Sequence, residues 1–189
     1  MTETPDWRAR RWAATHQRIY DAAIELFLEH GVEAVNVGQI ARGADVSVPT
    51  FYAHYASKEH VLMQLPTAEE MHALAAALPA DRPVRERLRH AAPLWFSTWS
   101  AEYRDEQLVR WKIIAGVPAL RMRAAEFERA TAGLLGDALA APTGAPLPAA
   151  ETVVVNAYLA AFTAGLLAWA DCDGRRKLEE LVDEAFDAL

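Results

Sequence analysis

The sequence predicts an all-α protein, and three observations predict it. Apolar residues recur at three- and four-residue spacing over most of the 189 residues. Glycine and proline cluster between those stretches, and no β-rich alternating run, internal repeat or long low-complexity segment interrupts them. Between Asn36 and Lys58, two short helical patterns flank a single tight turn.

Taken in order, Met1 to Asp6 is expected to be disordered. A first helix begins near Trp7 to Ala13 and runs to His30, with Ile19, Ala23, Leu26, Phe27 and His30 as its buried stripe. Gly31 stops it in a C-cap position. Asn36 caps a second helix, on which Val37, Ile40, Ala41 and Ala44 share a face. Asp45 breaks that pattern at a position that calls for positive φ, which Asp tolerates better than most side chains. Ser47 caps a third helix with Pro49 in its first turn, where the missing N–H costs little. Phe51 and Tyr55 lie on one face of that helix, while Val48, Pro49, Thr50, Tyr52 and His54 lie nearer its other sides. One face packs and the opposite one is offered outward.

Ser57 is expected to cap a fourth helix with Val61, Leu62 and Leu65 as its apolar positions. Pro66 kinks or breaks it, and helix resumes from Thr67 to Leu78. Beyond the linker Pro79 to Pro83, five further helices are expected: Val84 to Tyr103, Asp105 to Ala115, Ala119 to Ala141, Ala149 to Asp171 and Arg175 to Leu189. The sequences 116–118, 142–148 and 171–174 supply the breaks.

Two helices joined by a tight turn, the second with an outward N-terminal end, form the layout of a helix-turn-helix, which reads base edges in the major groove. The run from Arg18 to Gly31, followed by Ile40, Ala41, Val46, Ser47, Pro49 to Tyr52, His54, Tyr55 and Ser57 to Glu59, resembles the N-terminal domain of the TetR family of transcriptional regulators. The likeness covers roughly the first third of the chain, and it is specific because the order and spacing of many positions agree. It implies a helix-turn-helix DNA-binding domain over residues 1–60 and a helical ligand-binding and dimerisation domain over 61–189. It also implies a homodimeric repressor, cytoplasmic, released from a near-palindromic double-stranded DNA operator by a small-molecule effector.

By that resemblance and by helix geometry, Ser47, Val48, Pro49 and Thr50 are expected at base edges, Val48 and Pro49 through apolar contact with thymine methyls. Tyr52, His54 and Lys58 are expected at phosphates, with Asn36 and Gln39 secondary candidates. Tyr52 and His54 otherwise merely cover the edge of the core. The net charge of −7 is awkward for a DNA binder, but Arg8, Arg10, Arg11 and Arg18 fall together with no acid among them. They form either a basic arm feeding the DNA face or a solvated arginine-rich arm. Gly38, Gln39, Val48, Asp45 and Ala56 depart from the family pattern. Fewer cations there imply a shallower dependence of affinity on salt.

Trp95, Phe96, Trp99, Tyr103 and Trp111 crowd two adjacent helices, and Trp95, Trp99 and Tyr103 are spaced as one stripe. Any one of them alone reads as bundle core. Together they predict a pocket, because Trp and Tyr bring polar tips that a core needing only volume does without. Phe127 and Phe162 extend its walls, Met122 is adaptable filler and Asn156 a polar handle, which suits a hydrophobic effector. In the resemblance the last two helices form a four-helix bundle with their copies in a second subunit. The small residues Val153, Ala157, Ala160, Ala161, Ala164, Gly165 and Ala168, and the apolar stripe Leu178, Leu181, Val182, Ala185, Phe186 and Leu189, suit that role or an intramolecular core.

An enzyme is disfavoured. The six histidines are scattered, and no HExxH, Cys–His pairing or Gly-rich phosphate loop is present, so neither metal nor cofactor is expected. Cys172 is alone, which excludes an intramolecular disulfide. The chain shows no signal-peptide pattern, and its longest apolar stretch, Ala157 to Ala170, is interrupted by Thr163 and Gly165. The remaining alternative is a ligand-independent architectural DNA-binding protein.

Overall fold

The computed structural model describes residues 7–189, so the disorder expected of Met1 to Asp6 lies outside the described residues. Among those residues the structure is helical, and it divides into two compact units, one ending at Gln64 and the other spanning Leu65–Leu189.

The first unit contains α1 (Trp7–His30), α2 (Val37–Gly43), α3 (Val48–His54) and a 3-10 turn over Glu59–Val61. Gly31, at φ +78°, ends α1 by donating its N–H to the Phe27 carbonyl at 2.9 Å. Ile19, Ala23 and Phe27 are buried as expected, joined by Tyr20 and Ala22. His30 is not: it stands exposed in the last turn, 3.7 Å from the Glu29 carboxylate. Asn36 and Gln39 form a capping box at the start of α2. Asp45 adopts φ +53°, the left-handed conformation its place in the turn requires, and Val46 N–H closes the turn onto the Ala41 carbonyl at 2.9 Å. Phe51 and Tyr55 then sink into a core with Ile19, Ile40, Val35 and Val61.

The expected fourth helix is reduced to the single 3-10 turn, with residues 63–67 non-helical before α4 (Ala68–Ala77) begins. Two local preferences account for this. Pro66 disfavours helix in the residue before it, and Thr67 starts a new helix through a capping box with Glu70. Lys58, just before the turn, reaches back so that its ammonium donates to the carbonyls of Val32 and Val35, each at 2.6 Å, and of Glu33 at 3.5 Å. It thereby neutralises carbonyls that the irregular link between α1 and α2 leaves without backbone partners.

The second unit adds α5 (Val84–Ser97), α6 (Ala101–Gly116), α7 (Pro118–Ala140), α8 (Ala149–Asp171) and α9 (Leu178–Asp187). The helix expected to reach Tyr103 ends six residues early. Ser97 and Thr98 hydroxyls each donate back to carbonyls three residues earlier at 2.7 Å, and Ser100 caps the restart by accepting from Tyr103 N–H at 3.1 Å. Helix α8 is the hub, packed against α5, α6, α7 and α9. Gly165 allows a close approach of α9: a Cβ there would lie 2.6 Å from Val182 Cγ2 and 3.0 Å from Val182 Cα. The apolar stripe of α9, Leu178, Leu181, Val182 and Phe186, is buried within the chain. By length and composition α8 does pass as a membrane-crossing helix, contrary to the sequence expectation, with a mean hydropathy of 1.7 over its most apolar window.

Three substitutions test these local environments. Lys58→Met removes the donor from three carbonyls and should cost about 1–3 kcal/mol in guanidinium unfolding; an unchanged midpoint would show the tether to be idle. Gly165→Ala should destabilise by about 1–3 kcal/mol through overpacking against Val182. Gly133→Ala, on α7 where nothing lies within 4 Å of the added carbon, should instead stabilise by about 0.5–1 kcal/mol.

Candidate nucleic-acid interface and aromatic interior

Between the C-terminal end of α2 and the N-terminal end of α3 lies an open groove of about 470 Å³ lined by Gly38, Ala41, Arg42, Asp45, Val46, Ser47 and Val48. Its far lip is the start of α3, where Ser47, Val48 and Pro49 are exposed and Thr50 is half-buried. Ser47 Oγ accepts from Thr50 N–H at 3.1 Å and shares a 2.8 Å hydrogen bond with Thr50 Oγ1. That pair fixes the first turn of α3 and leaves Val48 and Pro49 as exposed apolar surface, the chemistry that suits a thymine methyl. Tyr52 is 55 % exposed, one residue out of phase with the buried Phe51, and meets that ring edge-on at 5.5 Å.

Asn36 Oδ1 accepts from Gln39 N–H at 3.0 Å, and Gln39 Oε1 accepts from Asn36 N–H at 2.8 Å. Both side-chain carbonyls are thus committed to the cap. That leaves their NH₂ groups, donors of the kind that match phosphate oxygens and the acceptors of purines. Arg18 is exposed on α1, with its Nη2 3.5 Å from Thr15 Oγ1. Arg42 is a cation that sequence reading missed. Its signal was spacing, since it stands three residues after Gln39 in the last turn of α2.

Two residues expected at phosphates are placed otherwise. Lys58 has its ammonium on the three loop carbonyls described above. His54 turns back toward α1, its ring 4.7 Å from Trp12 and 5.7 Å from His16. Apolar contact with those rings outweighs solvation of an imidazole that burial already holds below the ordinary histidine range. Trp12 and His16, one turn apart on α1, were not singled out in the sequence.

In the second unit the aromatic residues assemble only in part. Phe96 of α5 stacks on Phe162 of α8 at 5.4 Å, Trp99 meets Phe96 edge-on at 5.2 Å, and Tyr103 meets Trp99 edge-on at 5.3 Å. Trp99 lies in the turn between α5 and α6, so this is a chain of rings across a helix break rather than a stripe along one helix. Trp95 and Phe127 are half-buried and Trp111 is buried. Met122 is 76 % exposed, and Asn156 donates its amide to the Thr152 carbonyl of its own helix at 2.8 Å; neither faces the ring chain as filler or handle. On the α6 face that carries Tyr103 and Trp111, the buried Gln107, Arg110 and Ile114 were not anticipated. Gln107 is 1 % exposed, and its Oε1, like Trp111 Nε1, is buried with no hydrogen-bond partner in the chain. Arg110 lies over the Trp111 ring at 5.8 Å.

Among the described residues no cluster of three His, Cys, Asp or Glu side chains could hold a metal ion. Residues 19–65 match the family of bacterial regulatory proteins of the tetR type, and residues 82–189 match the MftR C-terminal domain. The transcriptional regulator TcmR of Streptomyces glaucescens is 35 % identical over 136 residues, which is 71 % of this chain and 57 % of that protein. MftR of Mycobacterium tuberculosis, described as a mycofactocin biosynthesis transcriptional regulator, is 31 % identical over 118 residues, 59 % of this chain and 57 % of its own. This chain therefore spans little more than half the length of either relative. The TetR-family repressor FadR of Thermus thermophilus, solved in complex with lauroyl-CoA, shares the fold with a TM-score of 0.54 at 22 % identity, covering 91 % of each chain. With its helix-turn-helix unit and its C-terminal domain both matched, the chain belongs to the TetR family of DNA-binding transcriptional regulators and is not an enzyme.

Proposed function

We propose that this protein is a cytoplasmic homodimeric repressor that reads a near-palindromic operator through α3 and is released from it by a hydrophobic small molecule. The observation that carries the reading is the capped start of α3, where Ser47 and Val48 line the groove, Pro49 stands exposed beside them and Thr50 is half-buried, while Phe51 anchors the helix from behind. In this reading Arg18, Asn36, Gln39, Arg42 and Tyr52 reach phosphates or flanking base edges.

One seven-residue reading helix covers too few base pairs for an address, and a two-fold dimer doubles them. Helix α8 supports such a partner contact. Val153, Asn156, Ala160 and Ala164 are exposed at helical spacing, and only 33 % of the helix's most apolar window is buried within the chain. With the α9 stripe already spent, α8 is the main apolar contribution to the dimer and α9 flanks it.

The effector reading rests on Phe96, Phe162, Trp99 and Tyr103, whose ring contacts give planar apolar walls. An effector that binds one conformation of this domain better than another would change the spacing of the two α3 helices through residues 63–67, the non-helical stretch leading out of the DNA unit. The coupling required is about 1–3 kcal/mol.

Selection from a random duplex library should enrich a two-fold symmetric site. At that site Val48→Ala and Thr50→Ala should shift base preference by about 1–3 kcal/mol per affected pair, whereas Tyr52→Ala should weaken all sequences alike. Uniform losses from Val48 and Thr50 would remove them from the reading set. Trp99→Ala should abolish release by an effector found in a thermal-shift screen, with lauroyl-CoA as a first probe, while leaving operator affinity unchanged. Full response in that variant would place the effector elsewhere.

A further inference from the structure

We propose that Trp12 and His16 are positioning residues for the recognition helix: with His54 they form an aromatic clasp that seats the last turn of α3 on α1 and holds while both imidazoles are neutral. Trp12 stacks on His16 at 4.8 Å and 17°, and its ring lies 4.7 Å from that of His54. On its other side His16 stacks on Tyr55 at 4.2 Å and 21°, and the Tyr55 hydroxyl donates to the His16 carbonyl at 3.3 Å. His54 is the final residue of α3 and Tyr55 its C-cap. The rings thus bind the end of α3 remote from the groove to the middle of α1, and their stacking sets how far the other end projects.

The clasp is poised against protonation. Nδ1 of His16 and Nδ1 of His54 are both buried without a hydrogen-bond partner. Burial holds each imidazole below the ordinary histidine value of 6.5, and the neighbouring charge of His54 lowers His16 further. The charged and titratable groups around them give no relief. Along α1 come Tyr20 and Asp21, which act on the Tyr55 hydroxyl and with burial push it well above its usual range, and the Asp21 carboxylate accepts from Gln17 at 2.9 Å. No carboxylate is among the groups that act on either imidazole. The sign is then fixed. Clasped histidines bind protons less readily than free ones, so the clasp is fully stable above the ordinary value and weakens as pH falls below it toward the depressed ones.

The consequence for DNA rests on the proposed reading of α3. Operator affinity of the full chain, measured at about pH 7.5 and about pH 5.5, should fall on acidification by roughly fivefold or more. His16→Phe keeps the stack and removes one of the two titrating rings, so it should bind within about twofold of the parent at neutral pH and lose part of the acid sensitivity, the rest belonging to His54. Trp12→Ala should weaken operator binding at both pH values, and Trp12→Phe should restore most of it. An acid response undiminished in His16→Phe, or undiminished affinity in Trp12→Ala, overturns the clasp. Should the parent chain select no operator, the DNA reading fails by itself, and NMR titration of the two rings decides the clasp. Depressed titrations that shift when the partner ring is replaced support it, and two ordinary histidine titrations overturn it.

Discussion

A seven-residue helix has no stability of its own in water, because nucleation costs more than so few hydrogen bonds return. Everything the DNA-facing surface can do therefore depends on the burial of Phe51 behind α3. Phe51 is fully buried, Ile40 and Ile19 with it, and removing a buried aromatic of this kind costs about 3–5 kcal/mol. The caps at Asn36 and Ser47, the left-handed Asp45 and the Lys58 tether are what let so short an element meet that core at a fixed angle. The two caps satisfy N–H groups that helices so short leave unpaired, and Lys58 serves carbonyls of the link between α1 and α2.

The same constraint explains how an acidic chain can carry a nucleic-acid face. The net charge of −7 belongs to the whole, while the groove between α2 and α3 offers Arg42 beside the exposed Ser47 and Val48. Fewer cations mean fewer displaced counterions, so a larger part of the discrimination falls to shape and apolar fit. Committing Lys58 to the fold pushes further in that direction.

What was legible in the sequence follows from the range of the interactions involved. The helix-turn-helix, its caps, the Gly31 stop and the break at Pro66 are local, and the residue types at those positions name their own conformations. The roles of Lys58 and His54 were not legible, because their partners lie 23 or more residues away for Lys58 and on α1 for His54, and spacing within a helix says nothing of either. The aromatic stripe failed for an intermediate reason. Periodicity carried it through residues 98–100, where Ser97, Thr98 and Ser100 make side-chain bonds that end one helix and start the next. Those three residues were a readable signal, outvoted by the spacing of larger ones. For α9, Leu178, Leu181, Val182 and Phe186 of the expected stripe are buried while Leu189 is exposed past the end of the helix, and the two possible partners of the stripe, α8 of the same chain or of another, present the same chemistry to a sequence.

The second unit carries its polar groups in a way that bears on the proposed switch. A helical bundle built for stability alone would leave α6 apolar where it is buried, yet Gln107 and Trp111 bring groups that find no partner within the chain. Each such group costs about 1–3 kcal/mol when left unmade. That is the size of the coupling by which an effector must distinguish two conformations of the domain. Tyr103 ties the two features together, because it ends the ring chain through Trp99 and stands one turn before Gln107 on the same face of α6. A molecule with an apolar body against the rings and a polar end at α6 would gain from both surfaces in whichever conformation brings them within one molecular length. A purely apolar interior would give it affinity for both conformations alike, and equal affinity moves no equilibrium.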